Sequence, residues 1–244
     1  MFPAKFVINN VLNTGFSVDT DTVAGIFYVM AKQVETLVVG PFLVNCYLYW
    51  DDEVAEGLII DPGDEDELIH ERISQIGFKP RAILLTHGHV DHIAAVGPLK
   101  RRYDLPLYIG QGEEGMLLDP SANASAFLAE PVTAPQPDYL VVDEQELVIG
   151  KLCFRVLATP GHTAAGVCYL DERNGLLFCG DTLFQGSIGR TDLPGGSYKV
   201  LLESIDRKIL TLPDSVICYP GHGPHTTVGA ERSSNPFLVG GHFA

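Results

Sequence analysis

Positive charge is what this chain of 244 residues has least of: 16 lysines and arginines stand against 31 aspartates and glutamates, a formal net charge of −15. That balance repels phosphodiester backbones and anionic lipid headgroups, which argues against a nucleic-acid-processing enzyme. No apolar run approaches the ~18 residues needed to cross a bilayer. The first thirty residues lack a basic segment followed by a clean apolar core, and Asp19, Thr20, Asp21 and Thr22 interrupt them, so they do not read as a signal peptide. Cysteine is scarce: Cys46, Cys153, Cys168, Cys179 and Cys218 are odd in number, form no C-x-x-C pair and lie in or beside strand-like runs. They read as small buried hydrophobes in a reducing compartment, the cytoplasm. Cys179 is expected on the same side of its strand as Asp181, near a candidate ligand without ligating. Low-complexity tracts, linkers and internal repeats are also missing. With 46% hydrophobic and 19% charged residues, the chain is globular and long enough for one large domain.

Residues 1–29 are expected to form a poorly packed upstream extension, because Met30-Ala31-Lys32-Gln33-Val34 resembles a natural start. The alternative is an extra strand pair at 5–9 and 26–29. Residues 30–244 are then the domain. β-rich runs fall at 34–39, 43–50 and 57–61. An amphipathic helix is expected over 64–77, with Leu68, Ile69, Ile73 and Ile76 on one face. A buried strand covers 81–85, a helix begins near His92, and a strand covers 105–109. Residues 112–137 read as helix and loop broken by Pro120, Pro131, Pro135 and Pro137. Strands at 147–149, 152–157, 166–170 and 176–179 follow. Then come a glycine-rich loop (186–197), a helix (198–210), a strand (216–219) and a short helix (226–232). Two strand-rich halves, each followed by helices, predict two mixed sheets packed face to face with helices outside, an α/β architecture.

The densest polar cluster is Thr86-His87-Gly88-His89-Val90-Asp91-His92, directly after the apolar run Ala82 to Leu85. Imidazole and carboxylate are the ligands of hydrolytic zinc and of related iron or manganese sites. Such a cluster at the end of a buried strand is costly to desolvate without something to bind. Three later strands also end in a lone polar residue beside glycine: Thr159-Pro160-Gly161-His162, Cys179-Gly180-Asp181 and Tyr219-Pro220-Gly221-His222. The set is His87, His89, Asp91, His92, His162, Asp181 and His222. Seven ligands exceed one tetrahedral ion and suit two ions sharing a carboxylate, with a water between them. His87 and His89 point the same way in an extended turn, and Asp91 and His92 continue towards a second ion. His70, His225 and His242 read as surface or supporting residues. Arg190 is expected in a buried pair with Asp192 that holds its loop. Asn45 and Tyr47 are expected to serve packing.

His-x-His-x-Asp-His followed by a distant His, Asp and His resembles the metallo-β-lactamase superfamily. Asn45-Cys46-Tyr47, Thr159 to Thr163, Gly180 to Phe184, Gly189-Arg190-Thr191-Asp192 and Pro220 to Gly223 look like its glyoxalase II branch, in the short hydroxyacylglutathione-hydrolase-like form. The resemblance spans 34 to about 240. It implies a four-layer αββα sandwich and one metal on His87, His89 and His162. A second metal goes to Asp91, His92 and His222, and Asp181 bridges. Two divalent ions, zinc first with iron or manganese as alternatives, would then hydrolyse a small-molecule thioester such as S-lactoylglutathione, with Asp91 orienting the nucleophile. No nucleic-acid or membrane partner is expected. One departure is that only Arg232 is basic after His222, where full-length glyoxalase II proteins carry a helical domain that grips glutathione. The alternatives are a mononuclear-iron persulfide dioxygenase, a lactonase or β-lactamase, and a non-catalytic metal-binding partner domain.

Overall fold

A computed structural model describes residues 32–239; the expectations for residues 1–29 and for His242 lie outside them. The first sheet holds β1 (Lys32–Val39), β2 (Val44–Asp51), β3 (Glu56–Ile60), β4 (Lys79–Leu84), β5 (Leu107–Gly110) and β6 (Tyr139–Val141), in that spatial order. β1 to β3 pair antiparallel and β3 to β6 pair parallel. The second contains β7 (Glu146–Ile149), β8 (Leu152–Ala158), β9 (Val167–Asp171), β10 (Leu176–Gly180), β13 (Ile217–Pro220) and β14 (Thr226–Thr227), in the order β14-β13-β10-β9-β8-β7. Between them in sequence, β11 (Leu183–Phe184) and β12 (Ser187–Ile188) form a small hairpin. Both sheets are therefore mixed, as expected.

Strand periodicity sorts the side chains into three apolar layers. Tyr47, Tyr49, Leu58, Ile60 and Leu84 of the first sheet meet Phe154, Val156, Tyr169 and Phe178 of the second. The alternate residues Leu48, Ile59 and Ile83 face outward against α1 (Asp66–Ile76), α2 (Val90–Ile93) and α3 (Val96–Tyr103). Leu157, Cys168, Leu170 and Leu177 face Leu201, Ile205 and Val228, which belong to α4 (Tyr198–Ser204), the π-helical turn Ile205–Ile209 that continues it, and α5 (Val228–Ser234). The result is the four-layer αββα sandwich. Strands buried on both faces explain why the sequence shows near-continuous apolar runs rather than alternation.

Several expectations need correction. No helix forms over 112–137; the segment is a series of turns ending at β6, a strand the sequence did not reveal. Leu68 is exposed while Ile69 and Ile73 are buried, so the apolar stripe of α1 is narrower than expected. Cys179 faces away from Phe178, as alternation predicts, and lines a small pocket with Asp181; the β10–β13 register shifts between Phe178 and Gly180, and Gly180 has φ +47°. Cys179 packs in the outer layer, its thiol donating to the Leu183 carbonyl at 3.3 Å. The five cysteines are free thiols, and Cys153 alone among them is not buried. Among the described residues no helix is long and apolar enough to cross a membrane.

β4, β8, β10 and β13 all leave their sheets at one rim, which brings four distant loops together. The two sheets are tied there by Asn45 N–H to Gly221 O at 2.7 Å and by Val167 N–H to Thr86 O at 2.9 Å. Beneath the rim, fully buried Phe178 contacts the rings of Tyr47, Tyr49, Phe154 and Tyr219 at centroid distances of 5.3–6.3 Å. Phe178→Ala should lower the unfolding free energy by about 3–5 kcal/mol in urea titration, through lost transfer energy plus a cavity. A loss below about 1 kcal/mol would show that this aromatic layer does not hold the sheets together.

Candidate metal centre

The seven residues expected as ligands converge at this rim. Three groups of potential ligand atoms lie within 4.8 Å of one another: His87, His89 and His162; His87, His92 and Asp181; Asp91, His92 and His222. Asp181 reaches both sides of the cluster, with Oδ1 3.4 Å from His92 Nε2 and Oδ2 3.6 Å from His162 Nε2 and 3.7 Å from His222 Nε2. His222 Nε2 also lies 3.1 Å from Asp91 Oδ2. This close approach requires glycine at 221: a Cβ there would fall 2.1 Å from Asp181 Oδ1 and 2.7 Å from His92 Cε1.

Hydrogen bonds on the far side of each ring set how most of the imidazoles face the centre. Thr86 Oγ1 donates to Asp61 Oδ2 at 2.7 Å, so at 3.1 Å it accepts from His87 Nδ1. His162 Nδ1 donates to the Arg190 carbonyl at 2.7 Å, and His222 Nδ1 to the Leu43 carbonyl at 3.3 Å. His92 Nδ1 faces Asp61 Oδ2 at 3.1 Å. Nδ1 is hydrogen-bonded outward in His87, His162 and His222 and only faces a carboxylate in His92, where it makes no hydrogen bond; in all four rings Nε2 is left for the centre. His89 is turned the other way, with Nδ1 2.9 Å from His162 Nε2. His87 Nε2, His92 Nε2 and Asp181 Oδ1 are buried and make no hydrogen bond.

The electrostatics follow from burial and neighbours. Burial, then the adjacent His92, His89 and His162, pushes the His87 imidazole well below its ordinary pKa. Burial and His162 bring His89 down to about 4. Burial also opposes the charged form of His92, but Asp61, Asp91 and Asp181 outweigh it and hold its pKa well above the usual value. For Asp91 and Asp181 burial opposes ionisation, yet the surrounding imidazoles, His92 first, keep both carboxyls below the ordinary range. Ionised carboxylates and imidazole lone pairs sharing one water-poor rim are the donor set of a divalent cation.

Two carboxylates that sequence reasoning missed brace the ligand loops. Asp61, 1% exposed, accepts from Thr86 N–H at 2.8 Å as well as from its hydroxyl. Its surroundings, Ile59-Ile60-Asp61-Pro62-Gly63, repeat the strand-then-Pro-Gly pattern of the His162 and His222 loops and carried the signal. Glu113, fully buried, accepts from Gly88 N–H at 3.0 Å and Ala165 N–H at 2.9 Å, clamping the His87–His89 turn to the His162 loop. No local motif marks it. Asn45 and Tyr47 do more than pack: Asn45 Nδ2 donates to the Pro220 and Gly223 carbonyls at 2.9 and 2.8 Å, and the Tyr47 hydroxyl donates to Pro220. Together they fix the His222 loop. Arg190 does pair with Asp192 through two 2.8 Å bonds, but in the open, with side chains 59% and 70% exposed. The expected burial is wrong because the loop runs over the surface; it is the Arg190 carbonyl that reaches the cluster. His70 bonds Tyr103 at 2.7 Å and His225 lies against the Tyr219 ring, both apart from the cluster.

Comparison with known proteins agrees with this geometry. The chain is 44% identical to the probable metallo-hydrolase YqgX of Bacillus subtilis, covering 83% of this chain and 95% of that one. It is 39% identical to the hydroxyacylglutathione hydrolase GloC of Haemophilus influenzae, covering 84% and 97%. Among solved structures, the BLEG-1 B3 metallo-β-lactamase superposes with a TM-score of 0.82 at 42% identity, over 85% of this chain and 100% of that one. A di-iron-bound form of TTHA1623 superposes with 0.71 at 40% identity, over 84% and 100%. The family model of the metallo-β-lactamase superfamily matches residues 39–222, from the first sheet through the last histidine of the cluster. The chain belongs to the metallo-β-lactamase superfamily, a family of metal-dependent hydrolases.

Proposed function

We propose that this chain is a thioester hydrolase working with two divalent cations, its domain spanning residues 30–244. His87, His89 and His162 would hold one cation and Asp91, His92 and His222 the other, with Asp181 shared. The observation that carries this reading is the outward hydrogen bonding of Nδ1 in His87, His162 and His222, with His92 Nδ1 set against Asp61, beside inward polar atoms that lack hydrogen bonds. Metal-binding histidines are oriented in this way by carbonyl and carboxylate partners. Five imidazoles and two carboxylates suit zinc first. Iron tolerates the same set, and the TTHA1623 neighbour is di-iron-bound. Bound there, such cations supply Lewis acidity, polarising a carbonyl and making water nucleophilic near neutral pH.

The chain's own groups do the rest. Asp91 lines the cavity and stays ionised, so it can orient an attacking water and accept its proton. A departing thiolate needs little protonation at neutral pH, so no strong general acid is required. That fits a site whose cavity lining, among the described residues, offers no lysine. Thioesters as the substrate class rest on the GloC relative, 97% of which this chain matches. Free thiols at all five cysteines suit a reducing compartment, in keeping with a cytoplasmic enzyme.

Metal analysis combined with a thiol-release assay tests the reading: two zinc ions per chain and release of thiol from S-lactoylglutathione are expected. One iron per chain, with oxygen uptake on glutathione persulfide, would replace it with a dioxygenase. Asp91→Asn should cut kcat by about 10²–10⁴-fold while metal content is largely kept, the range for losing a positioned proton acceptor. Unchanged turnover would remove Asp91 from the mechanism. Asp61→Asn should weaken metal affinity by about 10–100-fold, as loss of an outer carboxylate on a ligating histidine does, measured by competition with a chromophoric chelator. Equal affinity in the variant would mean that Asp61 serves only the fold.

A further inference from the structure

A cavity of about 640 Å³ opens beside His89, Asp91, His162, Asp181 and His222, within the size range of small-molecule sites. Away from these residues its walls are mostly apolar: Phe42, Phe127, Leu128, Phe184, Ile188 and Leu193. Among the described lining residues Arg190 is the sole lysine or arginine, and its Nε and Nη2 each donate at 2.8 Å to a different oxygen of Asp192. An arriving carboxylate therefore meets a guanidinium already neutralised, on a protein of net charge −15.

Phe127 stands out on this wall. It is 92% exposed, and a phenylalanine so uncovered has no packing role. Its loop is nonetheless firmly based. The fully buried Asn123 accepts Val90 N–H on its carbonyl at 2.9 Å, and its Nδ2 donates to the Val132 carbonyl at 2.9 Å. Ser125 Oγ accepts Val132 N–H at 2.9 Å. Phe127 follows Ser125 by two residues, so a braced hub that touches the ligand-bearing turn presents the ring at the cavity. Contact with an apolar ligand is the use of such a ring that this geometry offers.

Resting on the thioester-hydrolase reading, the geometry points to a substrate class: thioesters with an apolar acyl chain on an uncharged thiol, the chain held by Phe127. Glutathione, with two carboxylates, is a poor match to these walls.

Thiol release from four esters tests the inference: acetyl and hexanoyl, each on N-acetylcysteamine and on glutathione, with the metal-loaded full chain. On N-acetylcysteamine the hexanoyl ester should exceed the acetyl ester in kcat/KM by about tenfold or more, since a fully buried methylene contributes about fourfold. Hexanoyl-glutathione should fall about tenfold or more below hexanoyl-N-acetylcysteamine, for want of partners for its carboxylates. Phe127→Ala, at an exposed position that the fold does not depend on, should bring the hexanoyl-to-acetyl ratio close to one. Calorimetry with the thioether S-hexyl-N-acetylcysteamine gives a readout independent of turnover, and the same variant should weaken its binding by about tenfold. A flat response to chain length, a preference for the glutathione carrier, or unaltered thioether binding in the variant would overturn the inference and leave thioester hydrolysis standing. No thiol from any of the four esters would overturn the inference, and no thiol from S-lactoylglutathione either would overturn the reading it rests on.

Discussion

Polar atoms buried without a hydrogen-bond partner are the constraint around which this molecule is organised. His87 Nε2, His92 Nε2 and Asp181 Oδ1 are out of contact with water and form no hydrogen bond. Each such group costs about 1–3 kcal/mol when left unsatisfied. Three of them together approach the whole stability margin of a domain, about 5–15 kcal/mol. A fold that keeps them there gains only if something satisfies them, and a divalent cation, displacing the proton of His92, would do so. The cluster is therefore better understood as half of a binding equilibrium than as a polar defect in a core.

Holding that arrangement falls to groups outside the cluster. Asp61 fixes Thr86 and faces His92, Thr86 in turn fixes His87, and Glu113 joins the turn at Gly88 to the loop at Ala165. Asn45 and Tyr47 reach from the first sheet to hold the His222 loop of the second. These are hydrogen bonds to backbone groups and to buried carboxylates, where a low dielectric strengthens them. Surface ion pairs such as Arg102–Glu67 and Lys199–Glu203 contribute little by comparison. The connections are short and start from paired strands, so a few backbone clamps at the rim join four of them into one preorganised site.

The way the chain encodes this explains what could be read from it directly. Strands buried on both faces give continuous apolar runs, and each ligand loop interrupts such a run with a polar residue beside glycine. Both signals are local, so the sandwich and all seven cluster residues were legible. Asp61 also ends an apolar run, but it stands beside proline, with glycine one residue further on, so the local pattern marks it less clearly. Glu113 lies 25 residues from Gly88 and reaches it only through folding, so no window of sequence could announce it. The helix expected within 112–137 does not form because prolines and the left-handed Ala124, at φ +66°, favour turns, which leave Ala124, Phe127 and Leu128 at the cavity while Leu117 and Ala134 join the core.

Charge then separates the two jobs of the rim. A net charge of −15 draws divalent cations towards any open cleft and disfavours anions. The same field that loads the centre works against a substrate recognised through carboxylates, unless local cations counter it. Arg190, which could have done so, is held by Asp192 in a two-point geometry that matches its fork. What the cavity has in surplus is aromatic and aliphatic surface, and such surface gains free energy only by covering apolar groups. If the proposed hydrolysis holds, selectivity at this centre rests on what the walls can bury, and the polar cluster supplies the chemistry.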